Sequence, residues 1–305
     1  MFERRQKVSN FAAMNQFCHK ALRRVALRLL PALGAVLLAA MPWRAQAQIV
    51  STVGQVIDSD SLRRDFDSQP YFGLYKDNYF IFGTSVGPKP TKENSNVKFQ
   101  ISIAQKLTKS TLPGGTYLYL FYTQKVFWNV LENSMPMTDL NFNPGIGLAK
   151  PLFVKNRFIG KVFLLAEHES NGRDGDASRS WNKISCGANI MIDPNLVVHG
   201  KVWIPIVDGM NNKDILDYSG IYQVGLQAFS NNRRFNASVV LTKRRGWRLS
   251  YNTVVELAYR LWRRDNQFLF LQYYNGYGEG LLEYNKFHSQ LRVGIVIKPK
   301  LFSDF

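Results

Sequence analysis

The sequence has little cysteine and, after its first fifty residues, no long hydrophobic run. Its 305 residues include only Cys18 and Cys186. No predominantly apolar stretch of about 18 residues follows residue 47, which excludes a membrane-spanning helix there. Helical periodicity is almost absent from the same region. A helical membrane protein and a disulfide-stapled domain are therefore excluded, and stability has to come from the fold itself.

Acidic residues are also scarce, with 22 Asp and Glu against 39 Lys and Arg, for a net charge of +17. Such an excess suggests a nucleic-acid partner. However, residues 1–47 contain eight basic residues and only Glu3 on the acidic side. No aromatic and basic recognition motif accompanies the remaining charge. We therefore expect no nucleic-acid partner and assign the residual charge to a barrel lumen and to loops facing anionic lipid.

The N-terminus has the order of a secretory signal, with a basic region, an apolar run over 29–41 and the small-residue site Ala45-Gln46-Ala47. This order predicts a signal peptide over 1–47, cut before Gln48. Because the leader is long, a start at Met14 remains an alternative. Cys18 leaves with the leader, so the exported chain keeps Cys186 as an unpaired thiol.

Strict period-two alternation runs through most of the chain after Asp77. Long and short connections also alternate, as they do in outer-membrane barrels. The pattern predicts an all-β fold, a 12-stranded antiparallel transmembrane β-barrel of the outer membrane over 77–305. An N-terminal periplasmic segment, 48–76, precedes it. A soluble β-sandwich is the alternative, because aromatic residues have high strand propensity in either fold.

One strand departs from the simple pattern at its end. Continuing its apolar face places His168 and Ser170 on that face, and the next strand extended backwards places Asn182 there. In a hairpin these side chains meet on the lipid side, as a nucleophile, a base and an amide that can orient the imidazole. Neutral Asn avoids the desolvation cost of an ionised Asp in this place. The alternative is a polar trio that only marks where the hydrocarbon ends.

At these residues the sequence resembles outer-membrane phospholipase A, a family of twelve-stranded barrels that hydrolyse acyl esters of phospholipids. The resemblance runs from about Asp77 to the C-terminus. The matching strings are His168-Glu-Ser-Asn-Gly-Arg173, Arg179-Ser-Trp-Asn182, Tyr122-Thr-Gln124 and Gly276-Tyr-Gly-Glu-Gly-Leu-Leu-Glu-Tyr-Asn285.

The resemblance implies a catalytic role for each residue of the trio. Ser170 would attack the ester, His168 would act as general base and then acid, and Asn182 would orient His168. The expected activity is that of a calcium-dependent phospholipase of the A1/A2 and lysophospholipase type. The expected location is the outer membrane, with the site facing the outer leaflet.

The resemblance further implies a Ca²⁺ site and an oxyanion site. The Ser178 hydroxyl and the Arg173 carbonyl would hold Ca²⁺ with a carbonyl from the partner subunit's Ser134. The backbone amides of Ser170 and Gly172 would form the oxyanion site together with the ion. Gln124 would lie in the seam of the active homodimer.

The sequence departs from the family pattern at two places that concern the implied Ca²⁺ site. Gly175 stands where the family usually has an acidic residue, although Asp174 and Asp176 flank it, and the stretch 132–140 is shorter than in the family. Two other functions remain open. A lipid A deacylase also carries a lipid-facing His-x-Ser, and a passive porin-like barrel would have no enzymatic role.

Overall fold

The computed structural model describes Asp67 and residues 71–109, 112–154, 157–207, 210–262 and 266–299, all within one compact unit, 52–305. The predicted signal peptide, 1–47, and its Cys18 lie outside these residues. The described strands are β1 (Phe72–Leu74), β2 (Asn78–Ser85), β3 (Ser95–Lys106), β4 (Tyr117–Trp128), β5 (Met137–Val154), β6 (Arg157–Ser170), β7 (Ser180–Asp193), β8 (Leu196–Ile206), β9 (Tyr222–Phe229), β10 (Phe235–Lys243), β11 (Tyr251–Arg260), β12 (Gln267–Gly276) and β13 (His288–Ile297).

In the described residues, the twelve strands β2 to β13 form one closed antiparallel barrel. Each strand pairs with its neighbours in the sequence, and β13 pairs with β2, with Ile297 opposite Asn78. This closure confirms the predicted fold class. The short strand β1 pairs with β3 just beyond the part of β3 that β2 occupies. Three residues of the predicted N-terminal segment, 48–76, are therefore part of the sheet.

The two ends of the barrel differ in their connections. The short-loop end has the segments 107–116, 155–156, 194–195, 230–234 and 261–266, of which 107–116 is unusually long. The long-loop end has 86–94, 129–136, 171–179, 207–221, 244–250 and 277–287. The loop 207–221 contains a one-turn helix, α1 (Ile215–Ser219). Among the described residues, no helix has the length and hydropathy needed to cross a bilayer.

The strands sort their side chains by face, as period two requires. The large exposed hydrophobic side chains, such as Leu164 and Ile184, point outward. The lumen instead holds buried polar and charged groups, among them the Lys201–Glu167 pair at 2.8 Å. Four basic residues on the inward face of the strands are buried in the lumen: Lys98, His199, Lys201 and Arg292.

The loop 277–287 folds down into the lumen at the long-loop end. Glu279 accepts from Arg292 Nη1 at 2.6 Å and from Lys98 Nζ at 3.1 Å. Burial alone raises the pKa of Glu279, but these two charges outweigh it and lower the pKa to about 2. Two residues further on, the Leu281 amide donates to Asn141 Oδ1 at 3.1 Å. The loop is thus anchored inside the barrel rather than standing above it.

An apolar cluster closes this end of the lumen. Trp181 of β7, Ile215 of α1 and Leu281 pack together with Tyr284. The Tyr284 hydroxyl donates to Asp214, and burial together with this hydrogen bond raises the pKa of Tyr284. The cluster fixes the loops around the 171–179 connection, where the predicted site lies.

Candidate functional site

The hairpin of β6 and β7 brings His168 and Asn182 together as direct cross-strand partners. His168 Nδ1 lies 2.8 Å from Asn182 Oδ1. A carbonyl oxygen can only accept, so Nδ1 donates the hydrogen bond and Nε2 keeps its lone pair. The Asn143 amide of β5 also donates to the His168 carbonyl at 2.8 Å, which holds the backbone from the other side. The imidazole is therefore oriented with its basic nitrogen free.

Ser170 lies two residues further along β6 and so on the same outward face as His168. Leu164 and Ala166 on that face are exposed, whereas Phe163, Leu165 and Glu167 of the alternate face are buried. Among the described residues, no hydrogen bond joins the Ser170 hydroxyl to His168. Catalytic hydrogen bonds are often looser before substrate binds. The structure brings His168 and the Asn182 amide together and places Ser170 on the same face, next to them.

Asn171, which the sequence analysis did not single out, braces the loop 171–179. Its side chain is buried, and Nδ2 donates to the Ala177 carbonyl at 2.8 Å. Oδ1 accepts from the Arg179 amide at 3.0 Å and from the Arg173 amide at 3.4 Å. An Asn that follows a strand and precedes Gly is a turn signal, and this signal could have identified it.

Gly172 has a positive φ of 65°, a conformation that L side chains rarely adopt. A Cβ at this position would also lie 2.8 Å from Phe142 Cε2. Within the described part of the chain, the Gly172 amide donates no hydrogen bond. Glycine is therefore required here, and its N–H is available to an anion two residues from the Ser170 backbone amide.

The loop also contains the candidate calcium ligands Arg173 and Ser178. The backbone carbonyl oxygens of residues 175–178 all accept hydrogen bonds. Among the described residues, none reaches the Arg173 carbonyl and none involves the Ser178 hydroxyl. Asp174 and Asp176 are exposed beside them. These free oxygens are of the hard type that Ca²⁺ binds, so the donor chemistry fits. No cluster of three His, Cys, Asp or Glu occurs in the described residues.

Ser134 lies in the neighbouring loop 129–136 of the same end and is exposed, with a positive φ of 63°. Arg173 Nη2 donates to the Thr138 carbonyl at 2.6 Å, which ties loop 171–179 to the start of β5, directly after loop 129–136. The structure thus places Arg173 and Ser178 in one loop and Ser134 in the next.

Gln124 points outward from β4, on the face that carries the exposed Leu120. It accepts from the Tyr122 hydroxyl at 3.3 Å. Across the sheet, Gln124 is opposite Phe142, and Phe142 is opposite Ser170. The amide therefore lies at the level of the candidate nucleophile, two strands away on the same surface.

Directly behind the trio, the inner face of the hairpin is charged. Glu169, between His168 and Ser170, accepts from Lys183 Nζ at 2.9 Å and from Trp181 Nε1 at 3.0 Å. These groups line a luminal cavity of about 200 Å³. Sequence reasoning missed this pair, although the alternation that sends His168 and Ser170 outward necessarily sends Glu169 inward.

The sequence is similar to those of known phospholipases. A family model described as Phospholipase A1 matches residues 72–297. Phospholipase A1 of Salmonella typhimurium is 28% identical over 284 residues, covering 84% of this chain and 94% of the relative. Phospholipase A1 of Escherichia coli K12 is 28% identical over 283 residues, covering 84% and 94%.

Solved structures give the same result. Outer membrane phospholipase A from Escherichia coli superposes with a TM-score of 0.66 at 27% identity, covering 76% of this chain and 99% of that chain. The Salmonella typhi outer membrane phospholipase dimer with bound calcium has a TM-score of 0.65 at 27% identity, covering 76% and 94%.

Proposed function

Since the chain belongs to the phospholipase A1 family, and is a phospholipase with a transmembrane barrel of the outer membrane, we propose that it uses a lipid-facing Ser170, His168 and Asn182 triad. The observation that carries this proposal is the hydrogen bond from His168 to Asn182, which leaves Nε2 free on the face that holds Ser170. The substrates are phospholipids, cleaved at the sn-1 ester (A1 activity) or the sn-2 ester (A2 activity), and lysophospholipids, cleaved at their remaining acyl ester.

In the reaction, His168 Nε2 takes the Ser170 proton while Oγ attacks the ester carbonyl carbon. The carbonyl oxygen becomes an oxyanion, which the Ser170 and Gly172 amides stabilise by hydrogen bonds. His168 then returns the proton to the departing glycerol oxygen, which leaves an acyl-Ser170 ester. Water, deprotonated by His168, releases the fatty acid and restores Ser170.

Asn182 orients the imidazole without adding a charge to a lipid-facing surface. An ionised carboxylate at this position would lose its hydration and cost several kcal/mol unless paired. The charged residues of the hairpin instead point into the lumen, where Lys183 neutralises Glu169. An amide therefore suits position 182 better than a carboxylate, because the site lies on the lipid-facing side of the barrel.

Calcium dependence rests on the loop 171–179. The Arg173 carbonyl and the Ser178 hydroxyl would hold Ca²⁺ together with the partner subunit's Ser134. When bound there, Ca²⁺ supplies positive charge next to the oxyanion. The chain's own contribution is the pair of oxygens to which no hydrogen bond is made within the described residues, together with the Asn171 brace that fixes the loop.

Activation by dimerisation is supported by where Gln124 lies. It is an amide on an apolar outward face, at the level of Ser170, where a second barrel could satisfy its hydrogen bonds. A second barrel would also complete a groove for the acyl chain beside the site. The solved Salmonella typhi relative is a dimer with bound calcium.

The triad is tested by covalent labelling of detergent-refolded protein with a sulfonyl fluoride. We expect modification of Ser170, and none in the His168→Ala variant, as read by mass spectrometry of a digest. The same samples should release fatty acid from phospholipid micelles, and lipid A serves as the comparison substrate. Modification of another serine, or labelling that survives in His168→Ala, would refute the triad.

Calcium and dimerisation are tested together on one dilution series. Specific activity should rise with the protein-to-detergent ratio, and Ca²⁺ should strengthen association. Sedimentation and fatty-acid release are measured with and without a chelator. Full activity of a monomer, or turnover unaffected by the chelator, would contradict the calcium ligands and the dimer.

The orientation of the site is tested on intact cells, with Cys186 replaced by Ser. We propose that the long-loop end faces outward. A cysteine introduced at Asn211 should then react with an impermeant maleimide, and one at Pro194 should not. The reverse pattern would place the site in the inner leaflet.

A further inference from the structure

The loop 244–250 at the long-loop end has an unusual composition that the proposed reaction does not use. Its sequence is Arg244-Arg-Gly-Trp-Arg-Leu-Ser250. We refer to it as the arginine–tryptophan loop. It joins β10 to β11, four strands round the barrel from the β6–β7 hairpin. It therefore lies away from both the triad and Gln124.

Two large apolar side chains of this loop are almost completely exposed. Trp247 has an exposed fraction of 104% and Leu249 one of 86%. Outward apolar side chains on the strands are covered by the bilayer. Apolar side chains on a loop stay in water unless the loop itself contacts lipid. Trp is enriched where bilayer and water meet, because its ring is apolar and its N–H is polar.

The height of the loop can be read from the strands beneath it. Tyr222, Lys243 and Tyr251 are cross-strand partners and form one row across β9, β10 and β11. The two tyrosines share the outward face with the apolar Val224 and Leu241 one step further down, whereas the Lys243 side chain is buried. Tyrosines above an apolar band mark the headgroup level of a barrel. The loop begins directly above that row.

The loop is held rigidly from its inner side. Lys243 Nζ donates to the Gly246 carbonyl at 2.8 Å, and the Arg245 amide donates to the Leu216 carbonyl of α1 at 3.1 Å. Arg244 turns inward, with its guanidinium 4.7 Å from the Tyr277 ring centre. The backbone that leads to Trp247 and Leu249 is thus anchored before a ligand binds, which lowers the entropy cost of ordering the loop.

Two guanidinium groups accompany the apolar pair, with Arg245 before Trp247 and Arg248 between Trp247 and Leu249 in the sequence. Arg245 uses Nε to pair with Asp217 Oδ1 at 2.7 Å, which orients its side chain and leaves the terminal nitrogens for another acceptor. Arg248 is exposed and has no side-chain partner among the described residues. Paired guanidinium groups next to apolar anchors suit an anionic headgroup, because Arg binds phosphate oxygens through two N–H groups.

We propose that the arginine–tryptophan loop is a docking site for anionic phospholipid headgroups. Trp247 and Leu249 enter the headgroup region, and Arg245 and Arg248 bind the phosphate. Two side chains are far too small a surface for a stable protein dimer, which needs roughly 800 Å² per partner. The site goes beyond the proposed hydrolysis, since it uses none of the reacting residues.

The test is native mass spectrometry of the full mature protein in detergent, titrated with ether-linked phosphatidylglycerol or ether-linked phosphatidylcholine. Ether lipids have no acyl ester, so binding is measured whether or not the protein is active. We expect the wild type to prefer phosphatidylglycerol. The Arg245→Gln/Arg248→Gln variant should lose about fivefold or more of that affinity, and phosphatidylcholine, whose choline offsets the phosphate charge, should lose less.

The matched control is Lys89→Gln/Lys92→Gln, which removes two exposed charges from loop 86–94 at the same end and should change affinity less than about twofold. Trp247→Ser/Leu249→Ser should weaken binding of both lipids. The proposal is overturned if the wild type shows no preference, if the control loses as much as the arginine variant, or if inorganic phosphate at equal concentration displaces the lipid. Dimers that depend on Trp247 would likewise overturn it in favour of a second copy.

Discussion

Two histidine–asparagine pairs occupy neighbouring strands on opposite faces of the same barrel wall. His168 and Asn182 are partners across β6 and β7 and face outward, with Nδ1 and Oδ1 2.8 Å apart. His199 and Asn189 are partners across β8 and β7 and face the lumen, where the imidazole also bonds to the amide. In both pairs the asparagine oxygen fixes the proton on Nδ1.

The pairs differ at the other ring nitrogen. In the lumen, the Gln223 amide lies 3.2 Å from His199 Nε2, so the lone pair of this buried imidazole is already engaged. On the outer face, His168 Nε2 has no partner in the described part of the chain, and Ser170 shares its surface. An oriented imidazole is therefore not a site by itself. It becomes one when a free nitrogen and a hydroxyl share a face open to substrate.

The largest expected effect contrasts the two histidines. His168→Ala should lower fatty-acid release by about 10³-fold or more, because the general base is lost, and leave the barrel folded. His199→Ala should keep the activity of the folded protein but lower the free energy of unfolding by about 1–3 kcal/mol, because Asn189 and Gln223 lose a buried partner. Activity and urea unfolding in lipid vesicles measure both. Equal loss of activity in the two variants would contradict a catalytic role for His168 that His199 does not share.

A second test concerns the charge behind the triad. Lys183→Met should destabilise the barrel by about 3 kcal/mol, because Glu169 stays charged inside the wall with Trp181 as its remaining donor. The double variant Glu169→Gln/Lys183→Met should recover most of that loss. Urea unfolding of both variants and of Glu169→Gln completes the double-mutant cycle. If the losses simply add, the pair is not coupled.

The two asparagines give a smaller contrast. Asn182→Ala should lower kcat by about 10- to 100-fold, since His168 remains but is no longer held in one tautomer and orientation. Asn189→Ala should leave kcat of the folded enzyme unchanged. Initial rates at saturating substrate decide between them. A fall caused by Asn189→Ala would show that the luminal pair acts on the reaction.

The smallest expected effect compares adjacent residues of β7. Ser185 points inward, is fully buried and donates to Glu167 Oε2 at 2.5 Å, so Ser185→Ala should cost about 1–3 kcal/mol of unfolding free energy. Cys186 points outward and is exposed, so Cys186→Ala should change it by about 0.5 kcal/mol or less. The same unfolding assay applies. A larger cost at Cys186 would indicate a contact on the outer face.

Most of the fold, and the face on which the proposed triad lies, could be predicted from the sequence because both follow from period two. Alternation alone sends His168, Ser170 and Asn182 to one face, and the hairpin register then makes His168 and Asn182 partners. The same rule sends Glu169 and Lys183 inward, so their pairing was within reach of the sequence. Gln124 shares the parity of Leu120, and this could have placed it on the outer face.

Contacts made by loops were beyond the sequence. Asn171 acts through the backbone of residues 173–179, and the geometry of that loop is set by its conformation rather than by a repeat. The hydrogen bond from the Leu281 amide to Asn141 joins residues 140 positions apart. No local pattern reports a contact of this kind, because it depends on how the barrel brings distant strands together.

The pairing of β13 with β2 also determines the order in which the molecule can form. The strands that close the wall are the first and last of the cylinder, and Lys298 pairs with Asp77 across that seam. Every other ladder of the twelve-stranded cylinder joins consecutive strands, so hairpins can assemble early at a modest loss of chain entropy. The seam cannot form until the C-terminal strand has been synthesised. Until then the edge strands of the open sheet carry unpaired amides and carbonyls. The unfinished chain therefore has to be kept from pairing with other chains. Pairing of the last strand ends the exposure of these edges.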